Sequence, residues 1–145
     1  MVSPTAEEMR KMMGEKGKDI PDSFKGEMAS TWAMDGRYIK SEGWHEFGGG
    51  AKSSMIEYIT YDSKAKKFRT WYFSDYGERG ESTMTPSDDG KSFKFKGTGV
   101  DMMGNSVSMT GSMRFVDNDT IEWDWAEYQG LMQTMKIKGT SKRQG

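Results

Sequence analysis

The stretch Met28-Ala29-Ser30-Thr31-Trp32-Ala33-Met34-Asp35-Gly36-Arg37-Tyr38-Ile39-Lys40-Ser41-Glu42-Gly43 decides the fold. Asp35-Gly36 is a two-residue hairpin signal, because both residue types tolerate the positive φ that a type I′ turn demands. Pairing outward from it sets Trp32 opposite Ile39, Ser30 opposite Ser41 and Met28 opposite Gly43. Thr31 opposite Lys40 and Ala29 opposite Glu42 make the other side. The first set reads as the inner face. Side chains alternate along a strand, so His45 and Phe47 continue the inner row while Glu42 and Glu46 point out.

The same pattern repeats from Lys25 to Lys138, strand after strand through short turns. A second hairpin turns at Ser63-Lys64-Ala65-Lys66, with Asp62 facing Lys67. It pairs Tyr58 with Trp71, Ile56 with Phe73 and Thr60 with Arg69. Its other side pairs Glu57 with Tyr72, Ile59 with Thr70 and Tyr61 with Phe68. Neither side is cleanly polar; the Tyr58–Trp71 side is read as the lumen side and the other as half covered. Asp88-Asp89-Gly90 then leads into Phe93 and Phe95, alternating with Lys94 and Lys96. A strand over Ser106 to Val116 aligns Val107, Met109, Met113 and Phe115, with Gly111 in the row to permit a bend. Asp117-Asn118-Asp119 turns the chain again.

The last hairpin is read with a three-residue loop, Tyr128-Gln129-Gly130, Gly130 being left-handed. That register sets Trp123 opposite Met135, Ile121 opposite Ile137 and Trp125 opposite Gln133, with Glu122 facing Lys136 outside. A two-residue loop would set Trp123 against Lys136 and mix the faces, so it is rejected. Eight to ten strands, each pairing with the next, imply an all-β antiparallel up-and-down meander that closes into a barrel with a ligand-sized lumen.

Residues 1–24 read as a short helix and linker ahead of a barrel domain over 25–145. Thr5 with Glu8 matches a capping box, Ser3-Pro4 offers another start, and Met9, Met12 and Met13 share a helical face before Gly14 and Gly17 end it.

Composition narrows the function classes. The chain has 145 residues, and its 21 basic and 22 acidic side chains are spread evenly. No basic stripe marks a nucleic-acid surface, and no apolar run approaches the roughly 18 residues of a membrane helix. No basic start and apolar stretch marks a signal peptide, and the compartment, cytoplasmic or exported after signal removal, stays open. With no cysteine there is no disulfide, thiol nucleophile or thiolate metal site. Eighteen glycines suit bent strands, and fourteen methionines suit irregular apolar space.

Several short motifs give a resemblance. Gly36-Arg37-Tyr38 leads a strand, Tyr61-Asp62 is followed by Lys67-Phe68 and Trp71, Ser74 precedes Gly77, and Asp89-Gly90 turns toward the terminal strands. Over residues 30 to 140 the chain resembles a bacterial family of lipocalin-like, calycin-type barrels catalogued as domain of unknown function 1579. The Gly-x-Trp strand with which such proteins usually begin has no counterpart in the first 25 residues. The resemblance implies a lipocalin-like barrel and no particular activity.

The candidate ligand-binding set is Trp32, Ile39, Ser41, His45, Tyr58, Arg69, Trp71, Phe73, Trp123 and Trp125. The aromatics would grip a small hydrophobic or aromatic ligand, or simply form the core. Arg69 would hold a ligand carboxylate or close the barrel mouth against Asp75. His45, the sole histidine, is a polar contact, a general acid or base, or an ordinary hydrogen-bonded histidine. Glu42 and Glu46 point away from it, and neither a metal nor a cofactor is implied. Glu122 and Asp124 share an outer face and read as a solvated ion-pair surface. Asp62, Asp88, Asp89, Asp117 and Asp119 are turn residues. Gly48-Gly49-Gly50 lacks the lysine of a phosphate loop and reads as a flexible loop at the mouth. Binding of a small, largely apolar ligand in the lumen is the first expectation. An enzyme using His45, as hydrolase or isomerase, and a homodimer through the doubly apolar Met55–Ser74 hairpin are the others.

Overall fold

The computed structural model describes residues 25–46 and 52–144. They form nine strands: β1 (Lys25–Ala33), β2 (Tyr38–Glu46), β3 (Lys52–Asp62), β4 (Lys67–Ser74), β5 (Arg79–Pro86), β6 (Ser92–Val100), β7 (Ser106–Phe115), β8 (Thr120–Gln129) and β9 (Met132–Lys142). Each pairs antiparallel with the next, in the spatial order β1 to β9. The expected helix over residues 1–24, Phe47 and the Gly48-Gly49-Gly50 loop lie outside the described residues.

Turn chemistry sets the first two registers. Asp35 and Gly36 both have positive φ, 56° and 78°, and Trp32 faces Ile39 as the type I′ turn requires. At the second hairpin the Asp62 carboxylate accepts the backbone N–H of Lys64 at 3.1 Å and of Ala65 at 3.0 Å. It thereby holds Asp62 opposite Lys67. Asp89 and Asp117 accept backbone N–H groups in the same way at their turns.

The sheet does not close into the full barrel that the strand count implied; it is a half-barrel. Closure requires the first and last strands to share ladder hydrogen bonds. Among the described residues β1 and β9 are instead the two edges. The curl is toward one face. An added Cβ at Gly97 would run into the Glu81 carbonyl and lie 2.5 Å from the Ser82 Cβ, far inside normal cross-strand spacing. At Gly111 it would meet the Phe95 ring and the Asp124 carbonyl. Glycine is what lets neighbouring strands fold toward each other on this inner side.

Register follows the inner face round the whole sheet. One row runs Trp32, Ile39, Ile59, Thr70, Ser82, Gly97, Met109, Glu127 and Met135, one residue per strand. The neighbouring row, from Tyr61 and Phe68 through Met84, Phe95 and Gly111 to Trp125 and Ile137, is apolar throughout. Ring contacts tie it to the strand ends: Tyr61–Phe68 at 5.0 Å, Phe68–Phe93 at 5.9 Å and Phe93–Phe115 at 6.1 Å.

The last hairpin departs from expectation. Its turn is Gly130-Leu131 between Gln129 and Met132, and a bulge between Glu127 and Tyr128 leaves Thr134 unpaired. Trp123 therefore faces Gly139 and Trp125 faces Ile137, not Met135 and Gln133. Glu122 faces Thr140 and Asp124 faces Lys138. Gly130 is left-handed as expected, with φ 59°.

Candidate functional site

The inner face is unevenly filled. Over β7 it is tightly packed, with Val107 5% and Met109 3% exposed. Over β1 it is open, with Met28 49% and Trp32 72% exposed. Six of the ten expected site residues lie on this face: Trp32, Ile39, Ser41, His45, Trp123 and Trp125. Trp32 and Ile39 form an apolar pair continued by Ile59. Ser41 is buried and shares a 2.8 Å hydrogen bond with Ser30. His45 lies opposite Ser53. Trp123 donates its indole N–H to Ser141 at 3.0 Å and spreads its ring over Gly139.

The other four, Tyr58, Arg69, Trp71 and Phe73, are on the outer face, which reverses the expected lumen side of the second hairpin. Ile39 pairs with Ile59 and Ser41 with Glu57, so the inner row passes through Glu57, Ile59 and Tyr61. Alternation could not decide this hairpin, because both sides carry aromatics. Arg69 consequently does not meet Asp75, whose carboxylate accepts instead from the Ser53 hydroxyl at 2.9 Å and the Ser54 N–H at 3.1 Å. Those two bonds hold the Asp75 carboxyl below its ordinary range.

Three inner groups went unnoticed in the sequence: Glu57, Tyr72 and Glu127. Burial pushes the Glu57 carboxyl up. Tyr72 lies over Gly80 and donates its phenolic hydroxyl to the Met109 sulfur at 3.2 Å. Burial, then the negative charges of Glu78 and Glu127, raise it to about 12. Glu127 is 6% exposed and accepts the Thr134 hydroxyl at 3.0 Å. Burial raises its carboxyl, Thr134 opposes, and Asp101 and Glu78 add to the rise. The signal for Glu57 and Tyr72 was the side of the hairpin they share with Ile59 and Phe68. The signal for Glu127 was its place two residues from Trp125.

The outer face carries an open trough across β4 to β7. It holds 670 Å³ between Trp71, Phe73 and Arg79 on one side and Ser106 and Ser108 on the other. A continuation of 420 Å³ adds Arg69, Thr83, Lys96 and Thr110. Trp71 also meets Tyr38, ring centroids 6.4 Å apart. Among the described residues no group of three His, Asp or Glu side chains is arranged to hold a metal ion, and no helix is long and apolar enough to cross a membrane.

Nine antiparallel strands in sequence order, curled toward one face, define a β half-barrel of the meander type. Residues 6–140 match the family model described as Protein of unknown function (DUF1579), and the chain belongs to that family. No curated protein matches the chain.

Proposed function

We propose that the protein binds a small, largely apolar ligand on the inner face of the half-barrel. The observation that carries this reading is Trp32, 72% exposed on the side of the sheet that carries the long apolar row from Tyr61 to Ile137. Large apolar side chains left open on such a face are a characteristic of binding surfaces. Trp32, Ile39 and Ile59 would receive the ligand beside β1, and Trp123 and Trp125 would bound the far side. Ser41 and His45 would orient its polar end. The packed part over β7 leaves the ligand the flank nearer β1.

Native mass spectrometry of the freshly purified protein, beside its denatured mass, tests the reading. Extra mass that leaves on denaturation is expected, and it should fall sharply in Trp32→Ala. Trp71→Ala, on the opposite face, should leave it unchanged. A bare protein that also fails to bind a fluorescent fatty acid would sink the reading. Equal losses in the two tryptophan variants would sink the assignment to the inner face.

A further inference from the structure

The outer trough joins three chemical features that an unused surface has no reason to combine. Its wall is aromatic, Trp71 and Phe73. Its basic groups, Arg69, Arg79 and Lys96, outnumber its one acid, Glu81. Its floor and far wall are hydroxyl-rich, with Thr83, Thr98, Ser106, Ser108 and Thr110. Among the described residues none of these five hydroxyls makes a hydrogen bond within the protein, so all are available to a ligand.

We infer that this trough binds a short acidic oligosaccharide, one built of uronate units. A sugar ring offers a face of C–H bonds to an indole and a rim of hydroxyls to serine and threonine. Each uronate adds a carboxylate, for which a guanidinium is the matching bidentate donor. Trp71 would stack the central unit, because it borders both parts of the trough. Arg69 and Lys96 would take the carboxylate at one end, and Arg79 that at the other. Glu81, between the basic groups, would accept from sugar hydroxyls. Three strand intervals of about 4.8 Å separate β4 from β7, roughly 14 Å and enough for a trisaccharide. The volume of 670 Å³ is within the range of small-molecule sites, about 300–1,000 Å³. This site is on the face opposite the apolar one and does not rest on the reading above.

Calorimetric titration of the whole chain with trigalacturonate tests it, with maltotriose and a short oligouridylate titrated in parallel. Saturable binding of trigalacturonate is expected, at least tenfold tighter than maltotriose. Lys96→Glu and Arg69→Glu, both exposed and so compatible with folding, should each weaken it at least tenfold. Trp71→Ala should abolish it, and Trp32→Ala should leave it unchanged. Absence of saturable binding by the unmodified protein would overturn the inference, as would equal affinity for maltotriose. Tighter binding of the oligouridylate would reassign the trough to single-stranded nucleic acid and overturn it too. Full affinity retained in Lys96→Glu and Arg69→Glu would remove its electrostatic basis.

Discussion

β1 and β7 offer the same kind of side chain to the same inner face, yet Met109 on β7 is 3% exposed and Met28 on β1 is 49% exposed. Composition does not separate them. Position in the sheet does. β7 lies between β6 and β8, and the curl brings Tyr72 from β4 across Gly80 to the Met109 sulfur. β1 has a strand on one side alone among the described residues. In a meander that curls without closing, burial is highest where strands on both sides bend inward and falls away at the edges.

The sharpest test of this contrast is a matched pair of truncations. Met109→Ala should cost about 2–5 kcal/mol, since it removes a buried side chain from a site that cannot fully collapse. Met28→Ala should change stability by no more than about 0.5 kcal/mol. Denaturant unfolding of both variants measures the difference. Equal losses would mean that the inner face is not divided into a packed and an open part.

The same contrast explains what could be read before the structure. The first two registers were legible because each turn has its own chemistry: paired positive φ at Asp35-Gly36, and an aspartate accepting two backbone N–H groups at Asp62. Which side of β3–β4 faced inward was not legible. Tyr58 and Trp71 look at least as core-like as Ile59 and Thr70, and Glu57 reads as an outward charge although its carboxyl is desolvated. The last register was missed by four residues, with Trp123 facing Gly139 in place of Met135. Three residues come from a two-residue turn placed later in the chain and one from the bulge at Thr134. Because four is even, Trp123 and Trp125 were still on the expected side. A two-residue loop was rejected for mixing faces, and the bulge is the device that restores them. Open edges were the least legible of all, since nothing in strand alternation says whether β1 and β9 meet.

Glu57 sharpens the comparison through pH. Its carboxyl titrates higher in the folded chain than in the unfolded one, so the folded state holds the proton more tightly. Stability from this group is fully present below the unfolded value and is lost as pH rises through the raised folded value. Glu57→Gln removes the charge and the loss. The variant should melt higher than the parent at pH 7 and at the same temperature at pH 4. A constant difference at both pH values would mean that amide contacts, not the desolvated charge, cause the change.

The smallest effect is expected on the outer side of the same two strands that bury Met109 and Glu127. Arg114 and Glu122 face each other across β7 and β8 and form an ion pair of 2.8 Å with both side chains more than half exposed. Water solvates each charge nearly as well as its partner does, and ordering two long side chains opposes the attraction. Glu122→Ala should therefore cost no more than about 0.5 kcal/mol, against the several expected a few residues away on the inner side. The small cost should shrink further in 1 M salt, where screening acts within about 3 Å. Salt should leave the Met109→Ala loss in place, because that loss is one of packing. A Glu122→Ala effect as large as that of Met109→Ala and insensitive to salt would mean that the outer face of β7–β8 is covered in solution, and the distinction between the two faces would have to be redrawn there.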